Sequence, residues 1–84
     1  MYDYFFTFRS VTAAMKGAEI MQTAGFKGTL SRTPKSLQRQ GCGYSLRVKS
    51  ENMTKVRLLF GKEEVRFQKI YQKTAEGEWR EVAL

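Results

Sequence analysis

Residues 2–25 read YDYFFTFRSVTAAMKGAEIMQTAG and change their hydrophobic period partway along. In the first part, YDYFFTFR, aromatic and β-branched residues alternate between two sides of an extended chain, which predicts a strand. One side carries Tyr4, Phe6 and Phe8, and the other carries Phe5, Thr7 and Arg9. We expect this strand to be central in its sheet.

The second part of the segment has helical spacing. Apolar residues recur at i, i+3, i+4 and i+7, namely at Val11, Ala14, Met15, Ala18, Met21 and Ala24. Ser10 is suited to cap the N-terminus, and Gly25 to end the helix at C′. The pattern predicts an amphipathic helix over about residues 11–24. Gly17 costs up to about 1 kcal/mol against alanine there, and we interpret it as a site of close packing on a sheet.

Further elements follow in the order strand, strand, helix, strand. FKGTLSR (26–32) predicts a second strand, which Thr33 and Pro34 end, and GYSLRVK (43–49) alternates as a third. We expect Ser50 to cap a second helix, Gly61 to end it, and Met53, Val56, Leu59 and Phe60 to form its apolar face. EVRFQKIYQ predicts a strand, and TAEGEW a turn before a last short strand.

This order predicts one fold class for a single domain over residues 1–84. With right-handed crossovers, βαββαβ forms a four-stranded antiparallel sheet covered on one face by two helices, the ferredoxin-like α+β fold. The C-terminal hairpin is expected to add an extra strand.

Composition excludes several kinds of chemistry. The chain has no histidine and one cysteine, so it has neither a zinc cluster nor a histidine-based triad, and we expect no metal and no cofactor. It also has no long apolar run, and one cysteine cannot form an intramolecular disulfide. These features predict a cytoplasmic protein that does not enter a membrane.

The chain is basic, with a net charge of +7. Residues 27–49 contain six basic residues and no acidic one: Lys27, Arg32, Lys35, Arg39, Arg47 and Lys49. Such a segment favours anions or an acidic partner surface, with Arg32 and Lys35 as candidate anion contacts.

Cys42 is the main candidate for chemistry, and two interpretations stay open. Gly41 and Gly43 would leave the sulfur unshielded, and Arg39 and Arg47 would stabilise a thiolate, which favours a reactive cysteine. Alternatively, Cys42 is a small buried residue beside a tight turn, since lone cysteines are among the most buried residues.

A family resemblance bears on this choice. One small-domain family has the motifs Thr7-Phe8-Arg9-Ser10, Ala24-Gly25, Pro34, Cys42-Gly43 and Leu46-Arg47 in this order and at about this spacing, and the resemblance covers roughly residues 4 to 71. In these motifs the chain resembles the putative selenium/sulfur carrier protein-like family of small bacterial domains. The resemblance implies a cytoplasmic βαββαβ domain. Its cysteine would carry sulfur, as a persulfide, or selenium, as a selenide, between a protein donor and a protein acceptor.

Two other functions compete with a carrier that is not itself an enzyme. One is a basic module that binds nucleic acid or an acidic protein, with Tyr4, Phe6 or Tyr44 stacking on bases from an open sheet face. In the structural alternative, these aromatic residues fill the core. The other is a regulatory or assembly module, in which a sheet edge or the tail hairpin pairs with a second copy, to form a homo-oligomer, or with another protein.

Overall fold

A five-stranded antiparallel sheet forms the centre of the computed structural model, which describes residues 3–33 and 43–82. Its strands lie in the order β2-β3-β1-β4-β5. The elements are β1 (Asp3–Phe8), α1 (Val11–Thr23), β2 (Thr29–Arg32), β3 (Tyr44–Lys49), a 3-10 turn (Ser50–Asn52), α2 (Met53–Lys62), β4 (Lys69–Lys73) and β5 (Trp79–Val82). The predicted α+β class is confirmed, and the arrangement is consistent with a ferredoxin-like fold carrying one extra strand.

The central strand β1 organises the core. It pairs antiparallel with β3 on one side and with β4 on the other. Residues paired across strands point to the same side of a sheet, so the side chains of β1 divide into two sets. Phe6 and Phe8 face the helices and are fully buried. We call this side the helix face, and the side of Phe5 and Thr7 the open face.

Both helices cover the helix face. The core consists of buried apolar side chains from β1, β3, β4, α1, α2 and the segment after α2: Phe6, Phe8, Ala14, Met21, Leu46, Val48, Val56, Phe60, Val65 and Ile70. Phe60 meets Phe6 edge to face, with ring centroids 5.2 Å apart. This geometry is favourable for aromatic pairs and ties α2 to the central strand.

Helix α1 begins and ends as the sequence predicts. The Ser10 hydroxyl accepts a hydrogen bond from the Ala13 amide at 3.2 Å. At the other end Gly25 has φ +88, its amide donates to the Gln22 carbonyl, and the Phe26 amide donates to the Met21 carbonyl at 2.9 Å. These two bonds form a Schellman motif, which satisfies carbonyls that the helix leaves open.

Helix α2 ends by the same motif without glycine at the critical position. The Val65 amide donates to the Phe60 carbonyl at 2.8 Å, and Glu64 adopts φ 56. The prediction that Gly61 ends the helix is therefore wrong by three residues. The prediction for Ser50 is also wrong, because Ser50 starts the 3-10 turn and Asn52 precedes α2 without a side-chain cap. Apolar residues, Phe60 and Val65, stand at the two ends of this hydrogen bond, as is usual for the motif. Glu64 takes the left-handed position that glycine normally occupies.

The predicted apolar stripe of α1 is wrong in three places. Ala14, Gly17 and Met21 are buried, but Val11 is 40% exposed, Met15 is 57% exposed, and Ala24 is exposed at the C-terminal end. Gly17 of helix α1 faces the sheet, and in this orientation of the helix the Met15 side chain points to solvent. Strand β2 is also shorter than predicted, since it starts at Thr29.

The C-terminal hairpin adds β5 beside β4 and covers part of the open face. Trp79 packs on Phe5, with ring centroids 4.2 Å apart, and contacts Tyr71 edge to face. Lys69 pairs with Glu81 at 2.7 Å. The predicted extra strand is confirmed.

Two glycine substitutions test how closely α1 lies on the sheet. A Cβ on Gly17 would lie 3.1 Å from both Leu46 Cδ1 and Phe8 Cζ, whereas a Cβ on Gly61 meets nothing within 4 Å. Gly61→Ala should raise the free energy of unfolding by roughly 0.5 to 1 kcal/mol through helix propensity. Gly17→Ala should lower it by about 1 kcal/mol, since overpacking outweighs propensity. Urea denaturation measures both, and an equal gain in both variants would contradict this packing.

Candidate functional site

The end of β1 and the start of β3 lie side by side at one edge of the sheet. Phe8 pairs with Tyr44, and Tyr44 pairs in turn with Arg32 at the end of β2. One residue further, the Thr33 amide donates a hydrogen bond to the Gly43 carbonyl at 3.0 Å. Gly43 therefore lies between the end of β1 on one side and the segment that follows β2 on the other.

The N-terminus of α1 lies at the same edge. Only Arg9 and Ser10 separate β1 from α1, so the register places Arg9 one residue beyond the Phe8–Tyr44 pair, as Gly43 is on β3. The first turn of α1 contains no acidic residue. Its unpaired amides and aligned peptide dipoles give this edge a positive potential that favours a negative group.

Cys42, Gly41, Arg39 and Lys35 lie outside the described residues. What the structure does establish is the position of Gly43, to which Cys42 is joined by a peptide bond, and consecutive Cα atoms are about 3.8 Å apart. The predictions for Cys42 and for Gly41, Arg39 and Lys35 remain predictions.

Arg32 and Arg47 lie on opposite faces of the sheet. Arg32 pairs with Tyr44 and shares its face, and its guanidinium carbon lies 5.9 Å from the centre of the Tyr44 ring. This distance is within the range of a cation–π contact. Because Tyr44 directly follows Gly43, Arg32 on β2 lies one residue position away from Gly43 in the sheet.

Arg47 lies farther along β3, on the open face. Its Nη2 atom is 2.5 Å from Oδ2 of Asp3, and its side chain is 55% exposed. It is four residue positions from Gly43 along β3, or about 13 Å at the usual rise of a strand. The structure brings Arg32 close to Gly43 in the sheet and does not bring Arg47 there.

Two residues that the sequence did not single out join this edge. The alternation in β1 identifies Arg9 only as a strand residue, although its position just before an N-cap indicates a cation at a helix N-terminus. Ser45 follows Gly43 by two residues, is fully buried, and its Oγ has no hydrogen-bond partner among the described residues. No sequence signal distinguishes Ser45 from other strand serines.

The stacking residues predicted for nucleic acid do not form an open surface. Phe6 is fully buried, and Tyr4 and Tyr44 are half-buried against the core on the helix face. Those residues fill the core, as the structural alternative predicted. The aromatic residues of the open face are Phe5, Tyr71 and Trp79, and Phe5 is only 7% exposed.

Within residues 3–33 and 43–82, no helix combines the length and the apolar character needed to cross a bilayer. A family model described as Putative Se/S carrier protein-like matches residues 3–72. Neither the curated proteins nor the solved structures compared with the chain include a match. The family match covers the elements from β1 to α2 and β4 up to its last residue, and it leaves out β5.

Proposed function

Because the chain belongs to the Putative Se/S carrier protein-like family, we propose that it carries sulfur or selenium on Cys42. A carrier of this kind works between protein partners, one that supplies the atom and one that receives it. The observation that supports the role of Cys42 is the register of β1 and β3. It holds Gly43, the next residue in the chain, beside the N-terminus of α1.

The transfer is a thiol–persulfide exchange. The Cys42 thiolate attacks the terminal sulfur of a donor persulfide, a new S–S bond forms, and the donor's S–S bond breaks to release the donor thiolate. Because one S–S bond forms as another breaks, the exchange involves no net oxidation or reduction. The acceptor then attacks the terminal sulfur held on Cys42, and the Cys42 thiolate leaves.

The edge of the sheet favours the anions in this exchange. A thiolate and a persulfide are both negative, and a helix N-terminus and nearby cations lower the pKa of a thiol. Arg9 and Arg32 supply cations on β1 and β2, and the first turn of α1 supplies backbone amides. We therefore assign Arg9 and Arg32 to the support of the thiolate, along with Gly41, Gly43 and Arg39 as predicted.

A cysteine-to-serine substitution tests the carrier directly. After incubation with inorganic polysulfide, intact mass should show one added sulfur atom on the protein, removed again by dithiothreitol. Selenodiglutathione should load a selenium-containing adduct on the same residue. Cys42→Ser should take up neither atom and keep the unfolding midpoint of the parent chain. Loading of Cys42→Ser, or a parent thiol that alkylates only after denaturation, would contradict the proposal.

Arginine substitutions test the electrostatic support. The rate of alkylation by iodoacetamide against pH gives the pKa of the Cys42 thiol, which we expect below its usual value of about 8.5. Arg9→Met and Arg32→Met should each raise that pKa, because each removes a positive charge that favours the thiolate.

Arg47→Met is the matched control, since it removes the same charge about 13 Å away along the strand. It should leave the thiol pKa nearly unchanged. If Arg47→Met raises the pKa most and the other two substitutions do not, the thiol lies nearer to Arg47 than to the end of β1, and the assignment of Arg9 and Arg32 is wrong.

A further inference from the structure

The outer side of β5 is an unpaired edge of the sheet. In the part of the chain that the structure describes, β5 pairs with β4 and with no other strand. The Thr74 amide donates to the Glu78 carbonyl at 2.8 Å, so these two residues form a hydrogen-bonded pair. Such pairs alternate along an antiparallel ladder, so Arg80 directs its main-chain groups to β4. Trp79 and Glu81 therefore direct their N–H and C=O groups outward.

The side chains along this edge are complementary to themselves. Glu78 and Arg80 lie on one side of β5, with 68% and 70% of their side chains exposed. Trp79 lies between them in sequence and points to the open face, where it packs on Phe5. When two identical strands pair antiparallel about a two-fold axis, residues at equal distances from the axis face each other. An axis at Trp79 therefore sets Glu78 of each copy opposite Arg80 of the other.

We propose that β5 pairs with β5 of a second copy of this chain, in the register that sets Trp79 opposite Trp79. The outward N–H of each Trp79 donates to the outward C=O of the other. Two Glu78–Arg80 pairs flank these bonds on one side of the joined sheet, and the two indole rings lie together on the open face. Opposite charges and aromatic rings directly across an antiparallel pair stabilise a sheet.

The neighbouring symmetric registers are unfavourable. An axis one residue further along β5 would set Arg80 opposite Arg80, and an axis two residues further would set Glu81 opposite Glu81. Like charges directly opposite each other destabilise a pair of strands. The charges of β5 therefore favour the register with its axis at Trp79.

The other edge of the sheet has no such complementarity. Strand β2 follows Lys27, ends at Arg32, and is followed closely by Pro34, and residues 26–34 contain no acidic residue. Cations and proline at an edge strand oppose pairing with another chain. Two β2 edges would bring only like charges together. Pairing of β5 with β2 of another copy would leave a free edge at each end and so build a filament.

This interface leaves the candidate site open and does not depend on it. In the sheet, β5 is three strand positions from β3, or about 14 Å, and lies on the far side of β1 and β4. The edge at Gly43 is therefore not covered in the dimer. The family match ends at residue 72 and gives β5 no role. The dimer goes beyond the proposed carrier function, and Cys42→Ser should form it equally well.

Charge reversal at the edge tests the register. In sedimentation equilibrium from about 1 µM to 1 mM, the parent chain should form a dimer. Glu78→Arg and Arg80→Glu should each raise its dissociation constant about tenfold or more, because each sets like charges opposite each other twice. These variants change the net charge in opposite directions, so a general charge effect cannot weaken both dimers. The double variant should restore the dissociation constant of the parent.

Two further measurements complete the test. A mixture of Glu78→Arg with Arg80→Glu should form a dimer with one copy of each, because every facing pair is then of opposite charge. Glu19→Arg is the matched control, since it adds the same charge as Glu78→Arg at an exposed position of α1. It should change the dissociation constant less than about threefold. Circular dichroism of the diluted proteins should show the same helix content in all variants.

The possible results separate this interface from the carrier function. A parent chain that remains monomeric at about 1 mM overturns the interface, as does a dimer that both charge reversals leave intact. Species that keep growing with concentration also overturn it, and they would indicate pairing of β5 with β2 in a filament. None of these measurements involves sulfur or selenium on Cys42, so failure of the dimer leaves the carrier function standing. Failure of Cys42 to load leaves the dimer standing.

Discussion

The antiparallel pairing of β1 with β3 is the constraint on which the rest of the molecule depends. It joins the strand that carries Phe6 and Phe8 to the strand that carries Leu46 and Val48, and so assembles the floor of the core. A shift of β3 by one residue against β1 would turn Leu46 and Val48 to the open face. The same register sets Gly43 beside Arg9, so one pairing determines both the core and the geometry of the candidate site.

The close approach of α1 to the sheet is the second requirement of this arrangement. Gly17 gives the helix room against Phe8 and Leu46, and Phe60 of α2 packs against the same region. Because only two residues separate β1 from α1, the N-terminus of α1 cannot move far from the edge while this contact holds. Packing deep in the core thus keeps the positive end of α1 near Gly43.

Much of the fold follows from local patterns in the sequence. The alternation in 2–9 and 43–49, the Ser10 cap and the Gly25 stop predict β1, β3 and α1 with bounds within one or two residues of those observed. The end of α2 could not be predicted, because a glutamate takes the left-handed conformation that glycine normally occupies. The outward position of Met15 depends on which side of α1 the sheet accepts, and Gly17 decides that through contacts between elements distant in sequence.

The candidate site could also be predicted only in part, because contacts between elements distant in sequence decide which residues meet there. Cys42 and its glycine neighbours stand out in the sequence, but the faces of Arg32 and Arg47 depend on strand pairing. Both arginines belong to one basic segment, and only the sheet separates them. Arg9 enters the site from a distant part of the chain, through the pairing of its strand with β3.

We infer that the N-terminus of α1 stabilises the Cys42 thiolate, and an NMR titration measures this effect at the backbone amides. Amide resonances of Val11 to Ala13 should shift with pH at the pKa of the thiol, because ionisation places a negative charge beside those amides. The shift should vanish in Cys42→Ser, while amides of α2 stay unaffected in both proteins. Amides of α1 that do not respond while the thiol ionises would place the sulfur elsewhere and contradict the account.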